Sequence, residues 1–330
     1  MARLKDKVQN ALDEARLLVL GAQVLLGFEY RSVFESGFDV LPSHSKYLKL
    51  VGLGLLLVAF ALLTWPGAYH RIVAGGEDTE GVHQFTSRVM EIALAPFLIA
   101  LGFDMFVAAE KVAGATAGVA IGVLASLMAF VCWYGLEVVR RGKHRRLESE
   151  AMETEVNKSG RGGTRLSDKI RHVLTETRVV LPGAQALLGF QLVTILMDGF
   201  DTLPNVSKYV HLISLCLIAA SIILLMTPAA YHRIVENGEE SEQFHDFAGR
   251  ILLAAMAALG LGVCGDLFVV AWKVTESIEL AFAAALLMLA LSYGLWFGLT
   301  CYWRRPNERL GLRTNENDSR HPAIDQAIHN

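Results

Sequence analysis

The sequence predicts an all-α integral membrane fold of eight transmembrane helices, built as two parallel four-helix repeats, each preceded by an amphipathic helix. Three observations predict it. The 330 residues are 53% hydrophobic and 19% charged with a mean hydropathy of +0.40, more apolar than an ordinary soluble domain. The apolar residues fall in blocks of about 20, the length that crosses a hydrocarbon core. The chain also repeats itself at a fixed offset, which must be read before the fold.

The repeat is gapless from Glu14 to Val107. Glu14, Arg16, Gly21, Gln23, Gly37-Phe-Asp39 and Leu41-Pro42 return as Glu176, Arg178, Gly183, Gln185, Gly199-Phe-Asp201 and Leu203-Pro204. Tyr69-His-Arg-Ile-Val73 returns as Tyr231-His-Arg-Ile-Val235, and Asp104 as Asp266. Every offset is 162 (178−16, 201−39, 266−104).

Each repeat opens with apolar residues at i, i+4 and i+8: Leu4, Val8, Leu12 and Leu166, Ile170, Leu174. That spacing predicts an amphipathic helix at the headgroup boundary, or an extension of the first span. Span one is Leu17 to Phe34, repeated as Val179 to Met197. A Gly-Phe-Asp-x-Leu-Pro turn follows, in which Gly relaxes the backbone, Asp caps and Pro stops the preceding element. Span two is Tyr47 to Trp65 (Tyr209 to Thr227), and span three is Val89 to Ala109 (Ile251 to Trp272). Span four is Val112 to Val139 (Leu280 to Trp303), where the copies slip by one residue so that Trp133 aligns with Trp296. Gly114, Gly118 and Gly122 recur every fourth residue there, a ridge that admits a second helix closely; it is the candidate homo-oligomer contact.

The domains are therefore 1–141, a first four-helix repeat; 142–165, a polar, glycine-bearing linker; 166–305, a second repeat; and 306–330, a polar tail expected to be disordered. Arg and Lys gather before span one, around the loop between spans two and three, and after span four (Arg140, Arg141, Lys143, Arg145, Arg146). The positive-inside rule then puts both termini and the linker in the cytoplasm of an inner-membrane protein. The first sixteen residues hold no apolar signal-peptide core, so the first span is expected to direct insertion.

The composition excludes several classes. Cys132, Cys216, Cys264 and Cys301 fall inside spans without metal spacing. No nucleophile elbow, phosphate loop, dinucleotide motif or basic nucleic-acid patch is present, so no enzyme activity, cofactor, metal or nucleic-acid partner is expected. The lipid bilayer is the partner that remains.

Ionisable residues inside spans are costly and mark candidate sites. Asp104 and Asp266 lie late in span three, Asp39 and Asp201 in the outer turn, and Gln23 and Gln185 deeper on span one. Carboxylate and amide oxygens suit Na⁺ or a proton relay. These six residues are the expected ion site, lining one outer vestibule; the alternative pairs Asp104 with Lys111 and Asp266 with Lys273. On the inner face Arg16, His70, Arg71 and Arg88, with Arg178, His232, Arg233 and Arg250, form an expected charge collar at the headgroups. Glu29 and Arg31 differ between copies (Gln191, Val193) and are expected to pair locally.

The Arg-x4-Gly-Ala-Gln-x-Leu-Leu-Gly-Phe opening, the Pro-x-Ala-Tyr-His-Arg-Ile segment after span two and Asp-x-Phe-Val in span three together resemble a bacterial family of small four-helix integral membrane proteins. That family is a domain of unknown function whose members are sometimes described as sodium:proton antiporters. The resemblance covers nearly the whole chain as two fused copies. It implies cation and proton transport; a non-transporting membrane scaffold is the alternative.

Overall fold

The computed structural model describes residues 4–135, 166–234 and 242–299. The expected linker (142–165) and tail (306–330) lie outside the described residues, as do the side chains of His232 and Arg233.

All described secondary structure is helical. The first half comprises α1 (Leu4–Ser32), the one-turn α2 (Ser36–Asp39), α3 (Ser43–Ile72), α4 (Glu80–Ala113) and α5 (Ala115–Phe130), the last ending in a π-helical turn at Val131–Gly135. The second comprises α6 (Leu166–Thr194), α7 (Asp198–Asp201), α8 (Asn205–Ile234), α9 (Glu242–Thr275) and α10 (Ile278–Tyr293), with a π-helical turn at Gly294–Leu299. Helix starts follow local chemistry. The Thr79 hydroxyl accepts from Val82 N at 3.3 Å to cap α4, and Ser277 does the same for Leu280 N in α10.

The turn between α4 and α5 explains the slip in register. In the first half Gly114, at φ 86°, alone joins the two helices, a conformation open to glycine and strained for other residues. In the second, two residues do the job, Glu276 (φ 53°) and Ser277. One residue is thereby inserted, and α5 and α10 are offset by 163 (278−115, 293−130).

One expectation is corrected. No separate amphipathic helix precedes span one: residues 4–12 and 166–174 are the first turns of the unbroken α1 and α6, since neither Gly nor Pro interrupts the junctions from Leu12 to Leu17 or Leu174 to Val179. Of the eight long helices, six are long and apolar enough to cross a membrane: α3, α4, α5, α8, α9 and α10. α1 and α6 are long enough but too polar, carrying Asp13, Glu14, Arg16 and Glu29, Arg31 in one, and Glu176, Arg178, Gln185 and Gln191 in the other.

α1 and α6 lie against each other and run the same way. Phe28 and Phe190 pack 4.3 Å apart between ring centroids with their planes tilted by 58°, Glu14 meets Arg178 at 3.3 Å near one end, and Ser36 donates to Asp198 at the other. The small residues between them permit this: Gly189 lies beneath the Phe28 ring and Gly21 against the Gln185 side chain. Burial there explains why two relatively polar helices persist inside an apolar bundle.

The glycine ridge is used within its own repeat. A Cβ on Gly118 would sit 3.0 Å from the Phe106 carbonyl oxygen, and one on Gly122 would sit 2.8 Å from that of Gly102. Gly118 and Gly122 therefore face α4 and are buried, whereas Gly114 is exposed. Gly122→Val is expected to cost about 1–3 kcal/mol by overpacking, read as a lowered melting temperature in detergent. An unchanged melt would mean that α5 does not pack on α4 as described.

Candidate functional site

Three of the four buried Asp, Glu, Lys and Arg residues among the described residues form one cluster. Lys49, on the second turn of α3, places its Nζ 2.5 Å from Glu29 Oε1 and 3.0 Å from Asp104 Oδ1. All three side chains are less than a tenth exposed. Glu29 comes from the end of α1 and Asp104 from α4, so three helices converge on one ammonium. Lys49 lies six residues inside α3, roughly 9 Å along its axis at 1.5 Å per residue. Burying an ion pair pays a desolvation cost that close geometry must offset. Here two carboxylates share one cation, a formal charge of −1, and Glu29 Oε2 has no hydrogen-bond partner among the described residues.

The equivalent positions in the second repeat are all filled, but by different chemistry. Glu29, Lys49 and Asp104 become Gln191, His211 and Asp266, each 162 later. The Gln191 amide nitrogen donates to both Asp266 oxygens, at 2.7 and 2.8 Å. His211 Nε2 lies 3.1 Å from the Gln191 carbonyl oxygen. A carbonyl only accepts, so this nitrogen carries the hydrogen. His211 Nδ1 then faces Asp266 Oδ1 at 3.8 Å. With a neutral imidazole this triad also sums to −1. Gln191 Oε1 is again a buried oxygen without a partner among the described residues, at the position of Glu29 Oε2.

A second polar cluster lies one helical turn from the first triad. Side-chain-exposed His44 contacts Glu110 Oε1 at 2.8 Å, and Ser45 donates to the other Glu110 oxygen. Ser45 sits one turn above Lys49 on α3. In the second repeat His44 and Glu110 are replaced by Val206 and Trp272.

The remaining expected site residues separate. Asp39 and Asp201 are exposed on α2 and α7, outside both triads. Asp201 pairs with Lys111 across the repeats at 3.3 Å. Gln23 lines an open groove of about 600 Å³ between α1 and α6, with Arg31, Glu35 and Phe190, whereas Gln185 is fully buried with its amide unpartnered among the described residues. Asp104 and Asp266 therefore anchor two sites, and the single four-carboxylate vestibule is not formed. The alternative pairing is corrected as well: Lys111 takes Asp201 and Lys273 donates to Thr202. Glu29 does not pair with Arg31, which bonds Glu35 at 2.5 Å.

Of the residues expected in the charge collar, Arg16 and His70 line one open pocket with Asp13 and Asp78, Arg16 pairing with Asp13 at 2.8 Å and His70 lying 3.6 Å from Asp78, while Arg178 reaches Glu14 and the Asn10 carbonyl. Arg71, Arg88 and Arg250 are exposed. Sequence reasoning missed Lys49, His211, Ser45 and Glu110. The signal that finds the first two is the joint change at one offset, Glu→Gln at position 29 with Lys→His at position 49.

The chain matches the model of the family of unknown function DUF6328 twice, over residues 1–137 and 162–300, and it belongs to that family. No curated protein and no solved structure matches it.

Proposed function

We propose that this member of the DUF6328 family is a proton-coupled cation transporter of the bacterial inner membrane, exchanging Na⁺ or a similar monovalent cation for protons at its two buried triads. In this reading α1 and α6 complete eight spans, and the excess of Arg and Lys places both termini and the linker in the cytoplasm. The site residues are Glu29, Lys49 and Asp104 in one repeat and Gln191, His211 and Asp266 in the other.

One observation carries the reading. Two clusters at equivalent positions keep the same formal charge of −1 although two of their three residues differ. One added proton or monovalent cation brings either cluster to neutrality, and burial favours the neutral cluster. The acceptors are in place: Glu29 Oε2 in the first triad, and His211 Nδ1 beside Asp266 in the second. Lys49 occupies the point between two carboxylates that a cation would take, so cation entry displaces its ammonium. The exchange is one carboxyl proton leaving as one cation arrives, and charge balances.

Reconstituted into proteoliposomes with a pH dye inside, the wild type is expected to move protons against an imposed Na⁺ gradient. Asp104→Asn with Asp266→Asn is expected to slow this at least tenfold. Flux unchanged in that variant removes the proposed sites, and absence of flux with every alkali cation in the wild type removes the transport reading.

A further inference from the structure

The two repeats do not meet symmetrically. Under a two-fold relation each contact between non-equivalent positions would occur twice with the repeats exchanged; Phe28–Phe190 and Ser36–Asp198 join equivalent positions, but four other contacts across this interface occur once among the described residues. Trp133 Nε1 donates to the Ile223 carbonyl at 3.0 Å, Gly37 N to the Leu196 carbonyl at 2.8 Å, Lys111 pairs with Asp201, and Glu14 with Arg178. The first repeat contributes α1, α4, α5 and its π-helical turn, and the second contributes α6 and α8, so that beyond the α1–α6 pair the two faces differ.

Burial records the same polarity. α8 is 67% buried over its apolar window, but its equivalent α3 only 28%. α4 is 67% buried and its equivalent α9 only 33%. Leu212 is 4% exposed and Leu50 62%; Trp133 is 1% exposed and Trp296 38%. Each repeat owns both faces, and the chain uses one of each. The α3 face of the first repeat and the α9–α10 face of the second remain open.

The open faces also retain the matching groups. The counterparts of the first-repeat groups used are Trp296, Gly199 N, Lys273 and Glu176, and those of the second-repeat groups are the Ala61 and Phe34 carbonyls, Asp39 and Arg16; of these, Lys273 donates to Thr202 and Arg16 pairs with Asp13 within one repeat. Gly199, Glu176, Ala61, Phe34, Asp39 and Arg16 are exposed. The polar tail from residue 306 lacks the apolar length to cover a face spanning the bilayer.

We propose that a second copy of this chain docks head to tail, its α3 face against the α9–α10 face of the first, by the same contacts that join the two repeats. Such an interface is heterologous, and between chains of one membrane orientation it closes into a ring. The ring holds an even number of repeats, two chains being the smallest, with α1 and α6 of each copy innermost. The polar helices of the bundle are thereby shielded from lipid on both sides.

The intrachain contact between Trp133 and Ile223 predicts an interchain contact between Trp296 and Ala61. Ala61→Cys with Trp296→Cys, treated in native membranes with a short thiol-reactive cross-linker, is expected to give covalent dimers or higher rings absent from the wild type and from either single variant. Ala61→Phe is the companion test. Position 61 is exposed within one chain, so the larger ring leaves each chain folded but fills the space of the incoming Trp296. Native mass measurement from lipid discs is expected to show two or more copies for the wild type and single chains for Ala61→Phe. Single chains in the wild type overturn the proposal, as does cross-linking by Ala61→Cys alone, which would mean α3 meets α3. A multi-copy particle that Ala61→Phe leaves intact also overturns it.

Discussion

Lys49→Met is expected to destabilise the folded chain by about 3–5 kcal/mol, because it leaves two buried carboxylates without their shared cation. Lys49 is 3% exposed and touches both Glu29 and Asp104, so little water screens the repulsion that its removal leaves. The second repeat supplies the compensating change. Glu29→Gln with Lys49→His rebuilds in the first repeat the amide–imidazole–carboxylate set of Gln191, His211 and Asp266. That double variant is expected to regain most of the loss, even though Lys→His alone would leave Glu29 unpaired. Thermal unfolding in detergent, followed by helix content, checks both. Equal destabilisation of Lys49→Met and the double variant would mean that the triads are not interchangeable packing solutions. A Lys49→Met melt equal to wild type would mean that the ammonium is not buried between the two carboxylates.

Much of the bundle was legible because apolar length is a strong signal. The blocks from Tyr47 and Val89 fall within α3 and α4, and the slip before Trp296 corresponds to the residue inserted at Glu276–Ser277. Asp104 and Asp266 stood out for a related reason: a carboxylate well inside an apolar block has few bland explanations. Their partners did not. Lys49 reads as a charge at the span's end because it stands two residues into the block that opens at Tyr47, whereas α3 begins at Ser43 and places Lys49 on its second turn. His211 and Gln191 were passed over because identity between copies was the filter. A buried cluster conserves charge and geometry, which a coordinated substitution preserves.

Other residues were beyond sequence reach. Gln23 and Gln185 are the same residue at the same repeat position, yet one lines an open groove and the other is buried against Gly21. Their difference arises from head-to-tail packing of the repeats, a property of the interface rather than of either copy. The same packing sends Lys111 to Asp201 across the repeats while Lys273 stays within its own. Two identical local sequences then have different surroundings, and no periodicity or spacing records it.

The central claim is that the two triads exchange a proton for a cation, and the largest functional effect follows from removing their shared acid. Neutralising Asp104 and Asp266 together leaves the exposed Asp39 and Asp201 untouched. The most direct measurement is proton release in weakly buffered detergent solution when Na⁺ is added to purified protein, followed with a pH dye. Wild type is expected to release protons in a saturable way, and Asp104→Asn with Asp266→Asn to lose at least nine-tenths of that release. Equal release by both proteins, or none from the wild type with any alkali cation, would contradict the account.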